Sequence, residues 1–224
     1  MLAVQTAQKR NVRLLIVLAA AAVAVAGLMV LLSQLGGRGG SQESFAGVPQ
    51  DGTRLGREDA PVTILLYEDF QCPACGQFAR ETLPEVVERH VKPGDVKLIS
   101  QTLAFLGPDS IPAARAALAA GKQDHYWQYA VLLFENQGAE NSGYVTDEFL
   151  TDLAEETEGL DVNEWDEARQ AGFEKELQSV QQMAGEDNVN STPSLVVSGP
   201  DGKVTLRGAV PIESVDRAVE EVGG

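Results

Sequence analysis

The 224-residue chain holds only two cysteines and two histidines. So few soft ligands leave no basis for a metal site, since two thiolates are too few and His90 and His125 stand at no zinc-finger spacing from Cys72 and Cys75. Acidic residues are missing before Glu43, whereas Lys9, Arg10, Arg13 and Arg38 all precede it. The remainder carries 13 of the 17 bases against all 33 acids, a net −20. That field repels phosphate backbones, which removes nucleic acid as a partner. No calcium-loop spacing occurs either, so acidic stretches such as DLAEETEGLD read as solvated helix faces.

What the chain does have is one long apolar run. From Leu14 to Leu32, 19 residues lack any charged or hydrogen-bonding side chain, close to the roughly 20 that a helix needs to cross a bilayer core. The basic flank before it predicts a cytoplasmic N-terminus over 1–13 and a lipid-embedded anchor over 14–32. Ala24-Val25-Ala26 also fits a signal-peptidase site, but the run continues through Leu32, beyond an ordinary signal core, which favours an uncleaved anchor. Either way the rest is exported. Residues 33–44 are Gly- and Ser-rich and read as a flexible linker.

One domain is expected over 45–224. Asp51-Gly52 marks a hairpin turn. VTILLYEDF reads as a buried central strand, too uniformly apolar for a half-exposed helix. A helix follows from Pro73 to about His90, kinked at Pro84, and DVKLISQTLAF is a second strand. About 108–185 strand signals almost vanish, and Trp127, Ala130, Val131 and Phe134 recur at helical spacing, so this stretch reads as a helical insertion. SLVV and KVTLRG around a Gly-Pro-Asp-Gly turn predict a hairpin, and Ile212, Val215, Val219 and Val222 place one apolar stripe on a closing helix.

The chemistry concentrates where the first strand meets the first helix. Cys72 at a helix N-terminus faces unpaired backbone N–H groups and the positive end of the macrodipole, which stabilise thiolate over thiol. Cys75 lies almost one turn further along the same side, within reach of the Cys72 sulfur. Pro73 and Ala74 set the turn between them without adding charge. A structural staple is a poor alternative, because a disulfide closing so short a loop removes little unfolded-state entropy.

IxLYEDFQCPACGQF, the later GKQDHYWQYAVLLFENQ and the NSTPSLVV segment together resemble the DsbA-like branch of the thioredoxin superfamily, in particular its membrane-anchored, BdbD-type members. The resemblance implies an α/β thioredoxin-like fold with a helical insertion, preceded here by one N-terminal transmembrane helix. It implies a thiol–disulfide oxidoreductase whose redox carrier is the Cys72–Cys75 pair, with no other cofactor. It also implies that Pro193 is a cis-proline facing CPAC, and that Thr192 and Pro193 pair with an extended substrate segment. Relatives often carry a buried acid six residues before the first cysteine, where this chain has Leu66. Glu68 and Asp69 stand nearby, either as substitutes in proton transfer or as caps of the following helix. His125 and Trp127 are expected to pack within the insertion, and His90 to meet a helix C-terminal dipole. The expected partners are reduced exported proteins and a DsbB- or VKOR-like membrane reoxidant. An oxidase is the favoured activity, with a reductase or isomerase, or a tethered peptide-binding module without redox turnover, as the alternatives.

Overall fold

The computed structural model describes residues 42–223. The predicted anchor over 14–32 lies outside them, and among the described residues no helix is long and apolar enough to cross a membrane.

Two short strands, β1 (Gln50–Asp51) and β2 (Arg54–Leu55), form the small hairpin that Asp51-Gly52 announced. Gly52 turns it with φ 58, a left-handed conformation that only glycine adopts without strain. β3 (Val62–Glu68) runs parallel to β4 (Val96–Thr102) and antiparallel to β5 (Ser194–Gly199), which pairs with β6 (Gly202–Arg207). The strand order is β1-β2-β4-β3-β5-β6. β3 is therefore central, which is why its residues are apolar on both faces.

Those two faces meet different partners. Ile64, Leu66, Leu98, Leu195 and Val197 belong to the main core. Tyr67 and Val196 point the other way, into a smaller cluster with Leu103, Ala184 and Val189. The closing helix α8 (Ile212–Gly223) buries Ile212, Val215, Val219 and Val222, the stripe predicted for it. Each such side chain contributes roughly 1.5–3 kcal/mol of hydrophobic stabilisation.

Helix α1 (Pro73–Glu81) leaves the end of β3. The helical run expected to about His90 with a kink at Pro84 is interrupted two residues earlier, at Thr82, whose hydroxyl donates to the Val210 carbonyl at 2.9 Å. Pro84 sits in the first turn of the next segment, α2 (Leu83–Val86), where its missing N–H is tolerated, and a π-helical turn over Val87–Val91 ends the run. His90 stands in the last turn of that run, the helix end expected for it, and its Nε2 also lies 2.7 Å from Asp216 on α8.

Between β4 and β5 lie five helices: α3 (Ser110–Gly121), α4 (Tyr126–Glu135), α5 (Asp147–Glu156), α6 (Val162–Ala171) and α7 (Glu174–Glu186). Thr146 and Asp161 cap α5 and α6 through their side-chain oxygens, satisfying N–H groups that have no partner inside the helix. α4 is apolar all round and accordingly buried, with Trp127 packed on Phe45 at a centroid distance of 6.1 Å. His125, just before it, sets Nδ1 against the Gln123 carbonyl within the block.

Candidate active site

Cys72 is the N-cap of α1, with extended backbone angles (φ −72, ψ 117), and Pro73 occupies the first turn. Because Pro73 has no N–H, the first donors available to the Cys72 sulfur are those of Ala74 and Cys75. Both cysteines are free thiols. The Cys72 thiol is pulled down to about 5 from an ordinary 9.0, first by a hydrogen bond from the Cys75 thiol, and further by the Thr192 side chain and the backbone N–H groups of Cys75 and Ala74, against the cost of partial burial. Cys75 goes the other way. Burial and the neighbouring Cys72 push its thiol well up, and the charge of Glu68 adds to this. One exchanging sulfur is thus ready as thiolate while its neighbour keeps its proton.

The loop that delivers Cys72 is held by buried polar side chains. Asp69, 0% exposed, accepts four hydrogen bonds: from Gln71 N (2.9 Å) and Ser110 Oγ (2.8 Å) on Oδ1, and from Phe105 N (3.0 Å) and Leu106 N (3.1 Å) on Oδ2. Its carboxylate therefore organises the turn into α1 and the loop after β4, and is committed there. Gln71 ties the same turn to the insertion, receiving the Asn141 N–H at 2.6 Å and donating to Ser110 Oγ at 3.0 Å. Gln137 donates to the carbonyls of Phe70 (2.8 Å) and Cys72 (3.1 Å). Gly76 makes room for it, since a Cβ there would stand 2.6 Å from Gln137 Oε1.

Glu68 is a second buried acid, 3% exposed, with Oε1 accepting from Ser100 Oγ (2.6 Å) and Tyr126 OH (3.2 Å). Burial raises its carboxyl to about 7, a rise tempered by those two hydrogen bonds and increased by the charge of Asp69. Leu66 is itself 0% exposed on the same strand face, one inward step before Glu68. The Asp69 backbone N–H hydrogen-bonds the Cys75 sulfur, which sets Cys75 against the Glu68–Asp69 peptide.

Opposite CPAC, the Thr192-Pro193 peptide bond is cis, and the Cys72 thiol lies 3.4 Å from the Thr192 carbonyl. Cys72, Cys75, Pro73, Ala74, Glu68, Asp69, Thr192 and Pro193 thus gather at the C-terminal end of β3 and the start of β5. A hollow of about 250 Å³ adjoins this loop, lined by Leu103, Phe105, Ala184, Val189 and Ser191 among others. The reading of the sequence passed over Gln71, Gln137, Ser100, Thr102 and Tyr126. For Ser100 and Thr102 a signal existed: they continue the inward positions Val96 and Leu98, where an apolar residue would be expected.

The sequence model of the thioredoxin family matches residues 49–221. Disulfide bond formation protein D of Bacillus subtilis is 32% identical over 164 residues, 70% of this chain and 70% of that protein. The crystal structure of oxidised BdbD from Bacillus subtilis superposes with a TM-score of 0.67 at 24% identity, covering 78% of this chain and 96% of that one. Chlamydia trachomatis DsbA shares the fold at a TM-score of 0.66 and 22% identity, over 75% of this chain and 90% of that one. The chain belongs to the thioredoxin family and, within it, to the DsbA-like thiol–disulfide oxidoreductases of the disulfide bond formation protein D type.

Proposed function

We propose that this oxidoreductase works as an oxidase, passing a Cys72–Cys75 disulfide to reduced exported proteins. The observation that carries the reading is the asymmetry of the two thiols: Cys72 is acidified to about 5 while Cys75 is buried and raised. A client thiolate attacks Cys72 Sγ, forming a client–Cys72 disulfide and releasing Cys75 as a thiolate, which takes a proton. A second client thiolate then attacks the client sulfur of the mixed disulfide and closes the client's own disulfide. Cys72 leaves as its stabilised thiolate, and two electrons have passed to the enzyme.

Glu68 is the proton partner assigned to Cys75, because its carboxyl titrates near neutrality whereas that of Asp69 is engaged by four donors. Thr192 and Pro193 offer the edge on which an extended client strand pairs, by β-augmentation, beside the hollow at Ser191. The pair itself is the redox carrier. Its reoxidation falls to a membrane partner of the DsbB or VKOR kind, within reach if residues 14–32 anchor the chain with its N-terminus in the cytoplasm and the domain outside.

Equilibration with glutathione buffers, together with oxidation of a reduced model client, tests the direction of electron flow. An oxidase gives a potential well above the ~−270 mV of thioredoxin and forms client disulfides. A potential at or below that value, without client oxidation, makes the protein a reductase. Cys75→Ser, offered a disulfide-bearing client, should accumulate a mixed disulfide through Cys72, since the resolving thiol is gone; a trap through position 75 in the Cys72→Ser variant instead would reverse the assignment.

A further inference from the structure

Glu68 is the inner end of a string of hydroxyls. Ser100 Oγ donates to its Oε1 at 2.6 Å and lies 2.6 Å from Tyr126 OH, and Thr102 Oγ1 lies 2.7 Å from the same phenol. Each hydroxyl owns a single proton. With Glu68 ionised, the proton of Ser100 goes to the carboxylate, Tyr126 OH lies within donating distance of both Ser100 Oγ and, at 3.2 Å, Glu68 Oε1 itself, and Thr102 donates to Tyr126. The chain of donors runs one way, from Thr102 to Glu68. Ser100, Tyr126 and Thr102 are 3%, 0% and 1% exposed, so the string lies beneath the outer surface of the protein.

Two of its members, Ser100 and Thr102, nonetheless meet a cavity. β2 pairs with β4 only at Leu98 and Ile99, and the Ser100 N–H is taken by the Thr53 carbonyl at 3.1 Å. A cavity of about 390 Å³ is lined by Thr53, Ser100, Gln101, Thr102, Leu118 and Lys175 among others. Gln101 projects to the opposite face from Ser100 and Thr102, so a cavity touching all three lies at the uncovered edge of the strand. Gln101 Oε1 is buried there without a hydrogen-bond partner. An acceptor left dry costs about 1–3 kcal/mol, and the cavity has room for several waters of roughly 30 Å³ each.

We propose that Thr102, Tyr126 and Ser100 form a proton relay between solvent in the cavity at the β4 edge and Glu68, through which the proton of Cys75 is exchanged. The proposal rests on Glu68 as the proton partner of Cys75. When the disulfide opens, the leaving Cys75 thiolate takes the proton of the Glu68 carboxyl. The Glu68 carboxylate regains one from Tyr126, directly or through Ser100, Tyr126 regains one from Thr102, and Thr102 from water, so one solvent proton enters for each Cys75 thiol formed. On reoxidation the same protons move outward. The titratable groups that face Glu68 are Cys75 from α1, Tyr126 from α4 and Asp69 on its own segment.

The test is reduction of the oxidised full-length protein by dithiothreitol, followed by stopped flow across pH in light and heavy water. Thr102→Val removes the outermost hydroxyl without touching Glu68. It should slow the exchange by about a hundredfold, the lower end of what a positioned proton-transfer group contributes, and enlarge the solvent isotope effect, while the inflection set by Glu68 stays in place. Thr102→Ser, which keeps the hydroxyl, should restore the rate, and Glu68→Gln should abolish the inflection. If Thr102→Val matches the wild type in rate and isotope effect, or if Thr102→Ser fails to recover what Thr102→Val lost, the relay is wrong while an altered Glu68→Gln profile keeps Glu68 as the partner. If Glu68→Gln also behaves as the wild type, the Glu68 reading falls with it.

Discussion

The Cys72 thiol lies 3.4 Å from the carbonyl of Thr192, a residue 120 positions away in sequence. The Thr192 side chain also hydrogen-bonds the same sulfur and favours its thiolate. Thr192→Val keeps the β-branched shape and removes only the hydroxyl. A hydrogen bond to a charged group contributes about 1.5–3 kcal/mol, so the variant should raise the Cys72 pKa by about one unit or somewhat more. Thiolate absorbance against pH measures this. An unmoved titration would mean that the Cys75 thiol and the backbone N–H groups suffice.

A second prediction concerns the stability of the two redox forms. In the reduced, unfolded chain Cys72 holds its proton up to its ordinary 9.0, whereas in the folded protein it releases it at about 5. Between those values the unfolded state binds more protons, so the stability of the reduced form rises with pH and is lost as pH falls through about 5. At pH 7 this contributes about 2.7 kcal/mol, or about 60 mV in the potential of a two-electron couple. Cys75 is protonated in both states at that pH and adds nothing. The disulfide has no such group. The reduced domain should therefore outlast the oxidised one in urea at pH 7, with the advantage shrinking toward pH 5, and the potential should lie about 60 mV above that of the same pair with an unshifted Cys72 thiol. An oxidised form that is the more stable at pH 7 would contradict both.

Much of this site is legible in the sequence, because its central features are local. A buried strand, a cysteine pair at the following helix start, and Thr-Pro before a hairpin follow from short-range patterns. What stays hidden depends on contacts distant along the chain. Gln71 meets Asn141 across 70 positions and Gln137 meets Phe70 across 67, and no periodicity announces such pairs. Glu68 and Asp69 are neighbours of like charge with opposite duties, and only strand alternation separates them. Glu68 follows Ile64 and Leu66 onto the core face, while Asp69 lies past the end of β3 and serves the loops. His90 is bound by Asp216, a partner 126 positions away on α8.

The titration of Glu68 gives the third prediction. Its ordinary value is 4.5 and burial raises it to about 7 in the folded state. Between those pH values the folded state binds more protons, so stability falls as pH rises and levels off above about 7. The loss amounts to about 3 kcal/mol over the window. Urea unfolding of the oxidised protein, where Cys72 contributes no opposing slope, should show it. Glu68→Gln should flatten the profile and be the more stable form at pH 8. A profile that is already flat in the wild type would mean that Glu68 is ionised throughout.

The last prediction concerns the clamp that holds the CPAC turn from the insertion. Gln137 Nε2 binds the carbonyls of Phe70 and Cys72, and Gly76 gives its side chain space. Gln137→Ala removes two hydrogen bonds, a loss of about 1–2 kcal/mol. It should also raise the Cys72 pKa, because the Ala74 and Cys75 N–H groups are aimed at the sulfur by the same turn. Gly76→Ala should imitate it, since the new methyl meets Gln137 Oε1 at 2.6 Å and Arg80 Nη1 at 2.9 Å, both on side chains held by hydrogen bonds. Two effects then oppose each other. Alanine favours a helix interior by about 1 kcal/mol over glycine, so Gly76→Ala made on top of Gln137→Ala should stabilise, whereas alone it should not. That change of sign between the two backgrounds is the signature of the clamp, read from urea midpoints and thiolate titrations of all four proteins. If Gly76→Ala alone stabilises and leaves the Cys72 titration where it was, Gln137 contributes packing rather than the geometry of the redox turn.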